Sequence, residues 1–438
     1  MMRGDEVSAA ELEEGYRGAT LRLIPFLVIL FILAWIDRVN VGFAKLQMLT
    51  DLRFSEAVYG FGAGIFFVGY FLFEVPSNLL LERIGARRTL ARITILWGLA
   101  SMGLAFVRDE WTFYAVRFLL GVFEAGFFPG VVLYLTYWFP SARRSRINGL
   151  FMTSFAVAGI VGGPVAGLIM GTMGGVGGLA NWQWLFILEG IPSLVAGLAV
   201  LAWLPDRPES ARWLPAPVAA AMSAAVAAEG RAAGKEAHLG AALRDGRVWL
   251  CALIYFCIVS GNATIAFWTP SIIKEIGVRD PIAIGLLSAI PFVAGTAAMV
   301  WNGAHSDRRR ERRLHCAGAS LVAAAGLAAT GALIGQAVPA LAALTVAAIG
   351  ILAAFPVFWA LPQTFLSGTA AAGAIAAINA IGNLAGFAAP SMIGLSTSLT
   401  GSSSGGLTVV AGLELLAAIL VFGFARWQEE SAPEPAIP

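Results

Sequence analysis

Residues 82–88 read Glu-Arg-Ile-Gly-Ala-Arg-Arg, and residues 306–313 read Ser-Asp-Arg-Arg-Arg-Glu-Arg-Arg. Both stretches are strongly basic, and an acid followed by arginine stands near the start of each. Glu82 and Asp307 are separated by 225 residues. A basic surface loop accounts for the arginines, but it does not account for an acid–arginine step repeated at a fixed separation.

The apolar runs that precede these stretches repeat with the same offset. Gly60 stands near the start of the run 58–81, and Gly285, again 225 residues later, stands near the start of the run 282–305. An internal repeat of this kind predicts a chain built from two similar halves, each containing the same number of membrane helices.

Composition places most of the chain in a membrane. Of its 438 residues 58% are hydrophobic and 13% are charged, and the mean hydropathy is +0.78, whereas soluble domains carry about 25% charged residues. The apolar residues form runs of about 20, long enough to cross the hydrocarbon core as helices. The sequence therefore predicts an all-α membrane protein with spans at 21–44, 58–81, 90–107, 111–139, 146–172, 182–204, 247–274, 282–305, 314–335, 338–366, 370–396 and 405–427.

Lysine and arginine predict the orientation of these spans. The inner loops carry 18 basic residues if the N-terminus is cytoplasmic, whereas the outer loops carry five: Lys45, Arg53, Arg108, Lys274 and Arg279. The positive-inside rule then places both termini in the cytoplasm of a multi-pass plasma-membrane protein, by expectation the bacterial inner membrane. The predicted parts are a tail (1–20), a six-helix half (21–204), a cytoplasmic and partly helical linker (205–246), a second six-helix half (247–427) and a tail (428–438).

Four ionisable residues inside two predicted spans are the leading functional candidates. Asp37 and Arg38 lie in span 1, and Arg117 and Glu124 lie seven residues apart in span 4, which places them on one helix face. Charges at this depth are costly unless they are paired or used. We expect Arg117 to approach Glu124 directly or through water, although an ion pair that only fixes helix packing is an alternative.

Three further glutamates lie in predicted spans. Glu74 and Glu189 are each close to a proline, and hydrogen bonding between helices explains them best. Glu414 in span 12 has no partner that the sequence reveals, and it receives no predicted role.

The repeated loops resemble the major facilitator superfamily, whose Gly-x-x-x-Asp-Arg-x-Gly-x-Arg-Arg motif ends spans 2 and 8. The first copy departs from it with Asn78 for Gly and Glu82 for Asp, and the second copy lacks the later Gly. The resemblance implies a twelve-helix transporter that alternates between two open states. It also implies that the loops hold one state closed, with the gating residues Glu82, Arg83, Asp307 and Arg308.

Longer stretches resemble the anion:cation symporter family of organic-acid permeases within that superfamily. They are DRVNVGFA in span 1, YFLFEVPSNLLLERIGARR, FYAVRFLLGVFEAGFFPG, YLTYWFP and WQWLFILEG, with a looser match at FWALPQTFLSG and AINAIGNLAG. The resemblance implies that Asp37 and Glu124 bind the coupling protons and that Arg38 and Arg117 attract the substrate anion or hold the acids. It also implies a pocket lined by Tyr70, Trp359 and Asn379, to which we add the aromatic residues Trp35 and Trp268.

The predicted function is proton-coupled uptake of a small organic carboxylate. The protein is not expected to be an enzyme, since no Walker A, HExxH or GxSxG motif occurs, and no cofactor beyond the coupling proton is expected. Trp35 stands where sugar-acid carriers often have Tyr, and span 7 lacks an additional Arg. Both features favour a monocarboxylate or a more apolar acid over a hydroxylated or dianionic one.

Other interpretations remain open at this point. Gly159–Gly167 fits a Gly-x-x-x-Gly-Pro-x-x-Gly pattern associated with drug/proton antiporters, although small residues also serve close helix packing. A membrane sensor that binds a ligand is a further alternative. Cys251, Cys257 and Cys316 have no metal-ligand spacing and are interpreted as small core residues. Partners other than substrate, proton and lipid, such as nucleic acid, are not expected, and the protein is expected to act as a monomer.

Overall fold

The computed structural model describes residues 7–232, 244–364 and 368–430 of the chain, and α-helices dominate these ranges. The first helices are α1 Ala9–Val39, α2 Val41–Leu52, α3 Glu56–Ile84, α4 Ala86–Gly103, α5 Glu110–Glu124, α6 Phe127–Thr136, α7 Ser141–Thr172 and α8 Asn181–Trp203. The later helices are α9 Ala216–Ala232, α10 Gly246–Glu275, α11 Pro281–Arg309, α12 Arg313–Ala332, α13 Ala337–Ala360, α14 Gly368–Asn383, α15 Ala385–Thr400 and α16 Ser404–Glu430.

Twelve helical segments in the described residues are long and apolar enough to cross a membrane, which confirms the predicted number. Three of these spans are broken into two helices. The breaks fall after α1 at Asn40, after α5 at Ala125–Gly126 and after α14 at Leu384. Broken spans leave backbone and polar side chains at helix ends inside the protein, and such breaks are common where ions and substrates bind.

The break after α5 has a local cause. Gly126 adopts a left-handed conformation with φ +82°, which favours glycine. A Cβ atom at this position would lie 2.7 Å from the Cβ of Ser77 in α3, so only glycine allows this close approach. As a result, Glu124 is the last residue of α5 and its carboxyl group faces the interior.

The N-terminal helix starts earlier than predicted. Residues 9–20 are not a separate tail, because α1 already begins at Ala9. Ser8 accepts a hydrogen bond from the N–H of Glu11, and the Glu11 carboxylate accepts from the N–H of Ser8 at 2.8 Å. This capping box satisfies helix-end donors on both sides and stabilises the early start.

The chain divides into two compact units that do not follow the two predicted halves. Unit 1 comprises Met1–Asn40, Val68–Gly159 and Gln183–Lys235. Unit 2 comprises Val41–Phe67, Ile160–Trp182 and Glu236–Pro438. Thus α2, the first part of α3 and the last part of α7 pack with helices of the second half of the sequence.

Two glycine contacts inside unit 2 explain why Gly60 and Gly285 repeat. A Cβ on Gly60 would lie 3.0 Å from the Cα of Gly394, and one on Gly285 would lie 2.8 Å from the Cα of Gly167. Each glycine therefore allows two helix backbones to touch. Gly163, in the same pattern of α7, also packs against Gly285, so helix packing accounts for the glycine-rich sequence of α7.

The predicted linker contains one described helix, α9, which lies in unit 1. The backbone N–H of Ser141 donates to both carboxylate oxygens of Glu229, at 2.9 and 3.0 Å, and the Ser141 hydroxyl donates at 2.8 Å. Arg144 forms an ion pair with the same carboxylate at 2.7 Å. The linker thereby caps the start of α7.

The three cysteines lie in the buried core of unit 2, as predicted for small apolar residues. Cys251 and Cys257 belong to α10 and Cys316 belongs to α12. They pack with Tyr255 and Phe358 in one hydrophobic cluster.

Candidate substrate and proton site

Asp37 and Arg38 occupy consecutive positions near the end of α1, so their side chains point about 100° apart around the helix. The structure places the two side chains in different surroundings within unit 1. Asp37 is fully buried, whereas 19% of the Arg38 side chain is exposed. The sequence alone groups both residues with Arg117 and Glu124 and does not show that Asp37 and Arg38 face different surroundings.

Arg38 forms an ion pair with Glu124. Its Nε donates to Oε1 of Glu124 at 3.0 Å, and its Nη2 donates to the same oxygen. Glu124 is completely buried. The guanidinium carbon lies 5.7 Å from the ring centroid of Trp35 and 5.6 Å from that of Tyr70, within range of cation–π attraction. We call Arg38, Glu124, Trp35 and Tyr70 the Arg38 cluster.

Arg117 is a buried neighbour of this cluster. It is fully buried, and its Nη1 donates to the backbone carbonyl of Arg38 at 3.3 Å. It also lies within electrostatic range of Glu124. The structure therefore brings together Arg38, Arg117 and Glu124 of the four charged residues that the sequence singles out, with Arg38 as a partner that directly binds Glu124.

Asp37 accepts hydrogen bonds from three neutral donors. Trp97 Nε1 lies 3.2 Å and Ser101 Oγ lies 2.6 Å from its oxygens, and Ser193 Oγ is the third donor. Trp97 and Ser101 belong to α4, and Ser193 belongs to α8. Sequence reasoning missed these residues, because neutral donors inside a span carry no signal of their own.

Trp268 belongs to α10 in unit 2, where it contacts a lysine, and its role in substrate binding stays a prediction. It is only 1% exposed, and the Nζ of Lys45 lies 3.6 Å from its ring centroid. Lys45 forms an ion pair with Glu56 at 2.6 Å and lies 4.6 Å from the ring centroid of Tyr59. We call Lys45, Glu56, Tyr59 and Trp268 the Lys45 cluster.

The position of Lys45 corrects the sequence prediction. The sequence predicts an outer loop at this residue, but Lys45 lies within α2 and is 5% exposed. The predicted span ends at residue 44, one residue before this charge. Burial of a lysine is possible here because Glu56 and two aromatic rings replace its water contacts.

The predicted pocket residues Trp359 and Asn379 lie in unit 2. Trp359 is half-buried, and its ring centroid lies 4.8 Å from that of Tyr255. Asn379 is half-buried on α14. Their role in substrate binding stays a prediction.

The repeated loops differ in their contacts. Glu82 and Arg83 lie exposed near the end of α3, and the N–H of Arg87 at the start of α4 donates to Asp206 at 2.8 Å. In unit 2, by contrast, Asp307 pairs with Arg312 inside its own loop, and Arg308 Nε donates to a carbonyl of its own helix. The predicted gating role of both loops stays a prediction.

Comparison with known proteins identifies the family. The family model described as Major Facilitator Superfamily matches residues 27–390. The chain is 48% identical over 422 residues to a protein of Agrobacterium vitis named "Putative tartrate transporter", with 96% of each chain covered. It is 46% identical to the "Putative metabolite transport protein NicT" of Pseudomonas putida, with 93% of each chain covered.

A third relative carries a different description. The "Quinolone resistance transporter" of Acinetobacter baumannii is 41% identical over 409 residues, covering 93% of this chain and 92% of the relative. The expected resemblance to organic-acid permeases is therefore confirmed, within a group of relatives that also includes a protein named for drug resistance.

Solved structures support the same fold. A bacterial homologue of the human lysosomal transporter Spinster aligns with a TM-score of 0.79 at 15% identity, covering 96% of this chain and 99% of that chain. A D-xylose-proton symporter aligns with a TM-score of 0.73 at 15% identity, covering 92% and 97%. At such low identity these likenesses concern the fold alone. This chain belongs to the Major Facilitator Superfamily, and it is a multi-pass secondary transporter and not an enzyme.

Proposed function

We propose that the protein takes up a small organic carboxylate together with protons. The observation that carries this proposal is the Arg38 cluster, in which a fully buried carboxylate holds a partly exposed guanidinium between two aromatic rings. An arginine fork matches a carboxylate in shape and charge. A substrate carboxylate can therefore take the place of Glu124 as the partner of Arg38.

Protonation of Glu124 provides the coupling step. In the ion pair, Glu124 competes with the substrate for Arg38. A proton on Glu124 removes its negative charge, so the guanidinium becomes available to the incoming anion. After the substrate and the proton leave, the ion pair forms again and resets the carrier. Asp37 is proposed as a second proton-binding acid.

The proton gradient supplies enough free energy for such coupling. Each pH unit contributes about 1.4 kcal/mol per proton. Each net positive charge that moves inward contributes about 2.3 kcal/mol per 100 mV of membrane potential. Two protons entering with one monoanion use both contributions, whereas one proton with one monoanion uses only the first.

The proposal also includes the membrane orientation of the protein and the class of carboxylate that it carries. The 18 to 5 distribution of basic residues supports cytoplasmic termini in a plasma membrane. The relatives named for tartrate support a hydroxylated dicarboxylate, whereas Trp35 and the absence of an additional arginine in span 7 support a simpler monocarboxylate. A thermal-shift screen with tartrate, nicotinate and benzoate compares these classes directly, because a ligand of the folded state raises its stability.

Transport by purified protein in proteoliposomes tests the coupling. The best ligand of the screen is added outside the vesicles as a labelled compound, and an inward proton gradient is imposed. Glu124→Gln is expected to abolish proton-driven accumulation and to retain exchange of labelled for unlabelled ligand. Glu110→Gln, which makes the same change at the exposed start of α5, is the matched control. Unchanged accumulation by Glu124→Gln contradicts the proposal.

The alternative is proton-driven efflux of a drug or metabolite. The relative named for quinolone resistance is the observation that favours it, since the glycines of α7 already have a packing role. Efflux predicts that cells lacking the protein become more sensitive to quinolones and grow normally on organic acids. Carboxylate uptake predicts the opposite pair of results.

A further inference from the structure

Glu189 is a buried acid that the proposed transport cycle has not used. It lies in α8, is 4% exposed, and neither of its carboxyl oxygens has a hydrogen-bond partner among the described residues. Asn40, which is 1% exposed and follows α1, lies beside it, and its amide approaches the carboxyl without forming a hydrogen bond of good geometry within the described ranges. Two unsatisfied polar side chains in one buried place are unusual, because each such group costs free energy.

The helix geometry places Glu189 next to Asp37. Ser193, four residues after Glu189 on α8, donates a hydrogen bond to Asp37, and residues four apart lie on the same helix face. Asp37 and Glu189 lie within electrostatic range of each other. A Cβ on Gly98 of α4 would lie 3.1 Å from the carbonyl oxygen of Gly190, so close packing of α4 and α8 fixes this arrangement.

We propose that Asp37 and Glu189 form a buried carboxyl pair that holds one exchangeable proton, and that this pair, rather than Asp37 alone, is the second proton site of the carrier. Two adjacent carboxylates repel each other strongly in a buried place, so one proton is retained by the pair. Three hydrogen bonds of good geometry stabilise a negative charge on Asp37, whereas Glu189 has only a poorly aligned approach of the Asn40 amide. The proton therefore resides mainly on Glu189.

The charged groups around the pair connect it to the Arg38 cluster. Glu124 of α5 lies within electrostatic range of Asp37, and Arg38 is the next residue of α1. From α4 and α8 the facing groups are the neutral donors of Trp97, Ser101 and Ser193. When Glu124 binds or loses its proton, the change in its charge alters the proton affinity of the pair, so the two proton sites are coupled.

The internal repeat provides a comparison for this assignment. Glu414 in α16 stands 225 residues after Glu189, the offset that relates Glu82 to Asp307. It too is fully buried, and its carboxyl lies against Gly261 of α10 and beside Ser320 of α12. At the position that corresponds to Asp37 the chain has Asn262. The second half thus has the glutamate without the acidic neighbour.

Glu189→Gln with Glu414→Gln as matched control tests the transport part, which rests on the proposed function. Glu189→Gln is expected to lower proton-driven accumulation of the labelled carboxylate at least tenfold, while exchange stays within about threefold of the unsubstituted protein. Glu414→Gln is expected to keep both activities. Full accumulation by Glu189→Gln, or an equal loss in Glu414→Gln, overturns the inference; if Glu124→Gln still abolishes accumulation, the proposed function stands.

Infrared spectroscopy of the purified protein tests the pair independently of transport. A carbonyl band of a neutral carboxylic acid is expected near neutral pH and should be lost in Glu189→Gln. In Asp37→Asn this band should persist but disappear at a lower pH, because the repelling neighbour is gone. The band of Glu414 should not respond to Asp37→Asn. Absence of the Glu189 band, or its indifference to Asp37→Asn, overturns the pair even if the protein transports no carboxylate.

Discussion

The Arg38 cluster and the Lys45 cluster contain the same kinds of group in opposite arrangements. Each has one cation, one glutamate and two aromatic rings. In the Arg38 cluster the acid is fully buried and the cation is 19% exposed, whereas in the Lys45 cluster the cation is 5% exposed and the acid is 31% exposed. We expect the exposed member to set the role of each cluster, so that the exposed guanidinium of Arg38 binds an anion and the enclosed ammonium of Lys45 holds helices together.

The largest expected effect is the loss of ligand binding when Arg38 is replaced. Arg38→Gln should weaken binding of the best carboxylate about 100-fold or more, since loss of one partner of a buried charge pair costs about 3 kcal/mol. Lys45→Gln should leave the ligand affinity within about threefold. Isothermal titration of both purified variants measures the difference.

Two results of that titration would break the comparison. Equal losses in both variants would show that the Lys45 cluster also contacts ligand, and unchanged affinity in Arg38→Gln would remove Arg38 from the site. Arg38→Lys, which keeps the charge but not the fork, should recover only part of the affinity.

The next effect concerns stability in the Lys45 cluster. Glu56→Gln leaves a buried ammonium without its ion-pair partner and should lower the free energy of unfolding by about 3 kcal/mol. Lys45→Met removes the buried charge and leaves a glutamate that can reach water, so it should cost only about 1 kcal/mol. Thermal unfolding in detergent should therefore rank Lys45→Met as the more stable variant; the reverse order would contradict the enclosed position of the lysine.

A smaller effect is expected at Trp268. Trp268→Phe keeps an aromatic ring and weakens the cation–π contact with Lys45, which contributes about 1 kcal/mol in such surroundings, and should lower the melting temperature by a few degrees. The ligand-induced thermal shift should be unchanged. A large loss of that shift would instead support the role in substrate binding that the sequence predicts for Trp268.

The smallest effect is expected for the more exposed ion pair of Glu229 and Arg144. It provides a reference against which the effects in the two buried clusters are compared. Hydrogen bonds from the N–H and hydroxyl of Ser141, together with the charge of Arg144, hold the pKa of Glu229 below its ordinary value, although slight desolvation opposes this. A lowered folded-state pKa stabilises the protein above the unfolded value of about 4.3 and loses this contribution as the pH falls through the folded value.

Glu229→Gln should accordingly lower the melting temperature by about 2 °C or less at pH 7. The difference between the variant and the unsubstituted protein should be constant from pH 6 to 8 and should shrink only in acid. A difference that instead grew as the pH fell would contradict the assigned direction of the pKa.

Much of the fold was predictable because a membrane imposes simple rules. A span needs about 20 apolar residues, and the apolar runs of the sequence show where the spans lie. An internal repeat needs equal offsets, and residues such as Glu82 and Asp307 show that offset. The predictions were wrong where a boundary depended on a partner. Residues 9–20 join α1 through a capping box, and Lys45 is buried because Glu56 and Trp268 enclose it.

The sequence by itself determined that this is a twelve-span protein and that Asp37, Arg38, Arg117 and Glu124 are exceptional charges within its spans, and it predicts two related halves. Hydropathy and cost of burial depend only on residue type and position along the chain, so they can be read without coordinates. Only the tertiary structure decided that Arg38 binds Glu124, that Asp37 accepts from three neutral donors, and that Trp268 covers a lysine. These pairings join helices that are distant in the chain. The direction of each side chain around a helix end selects its partner, and no periodicity of the sequence reveals that direction.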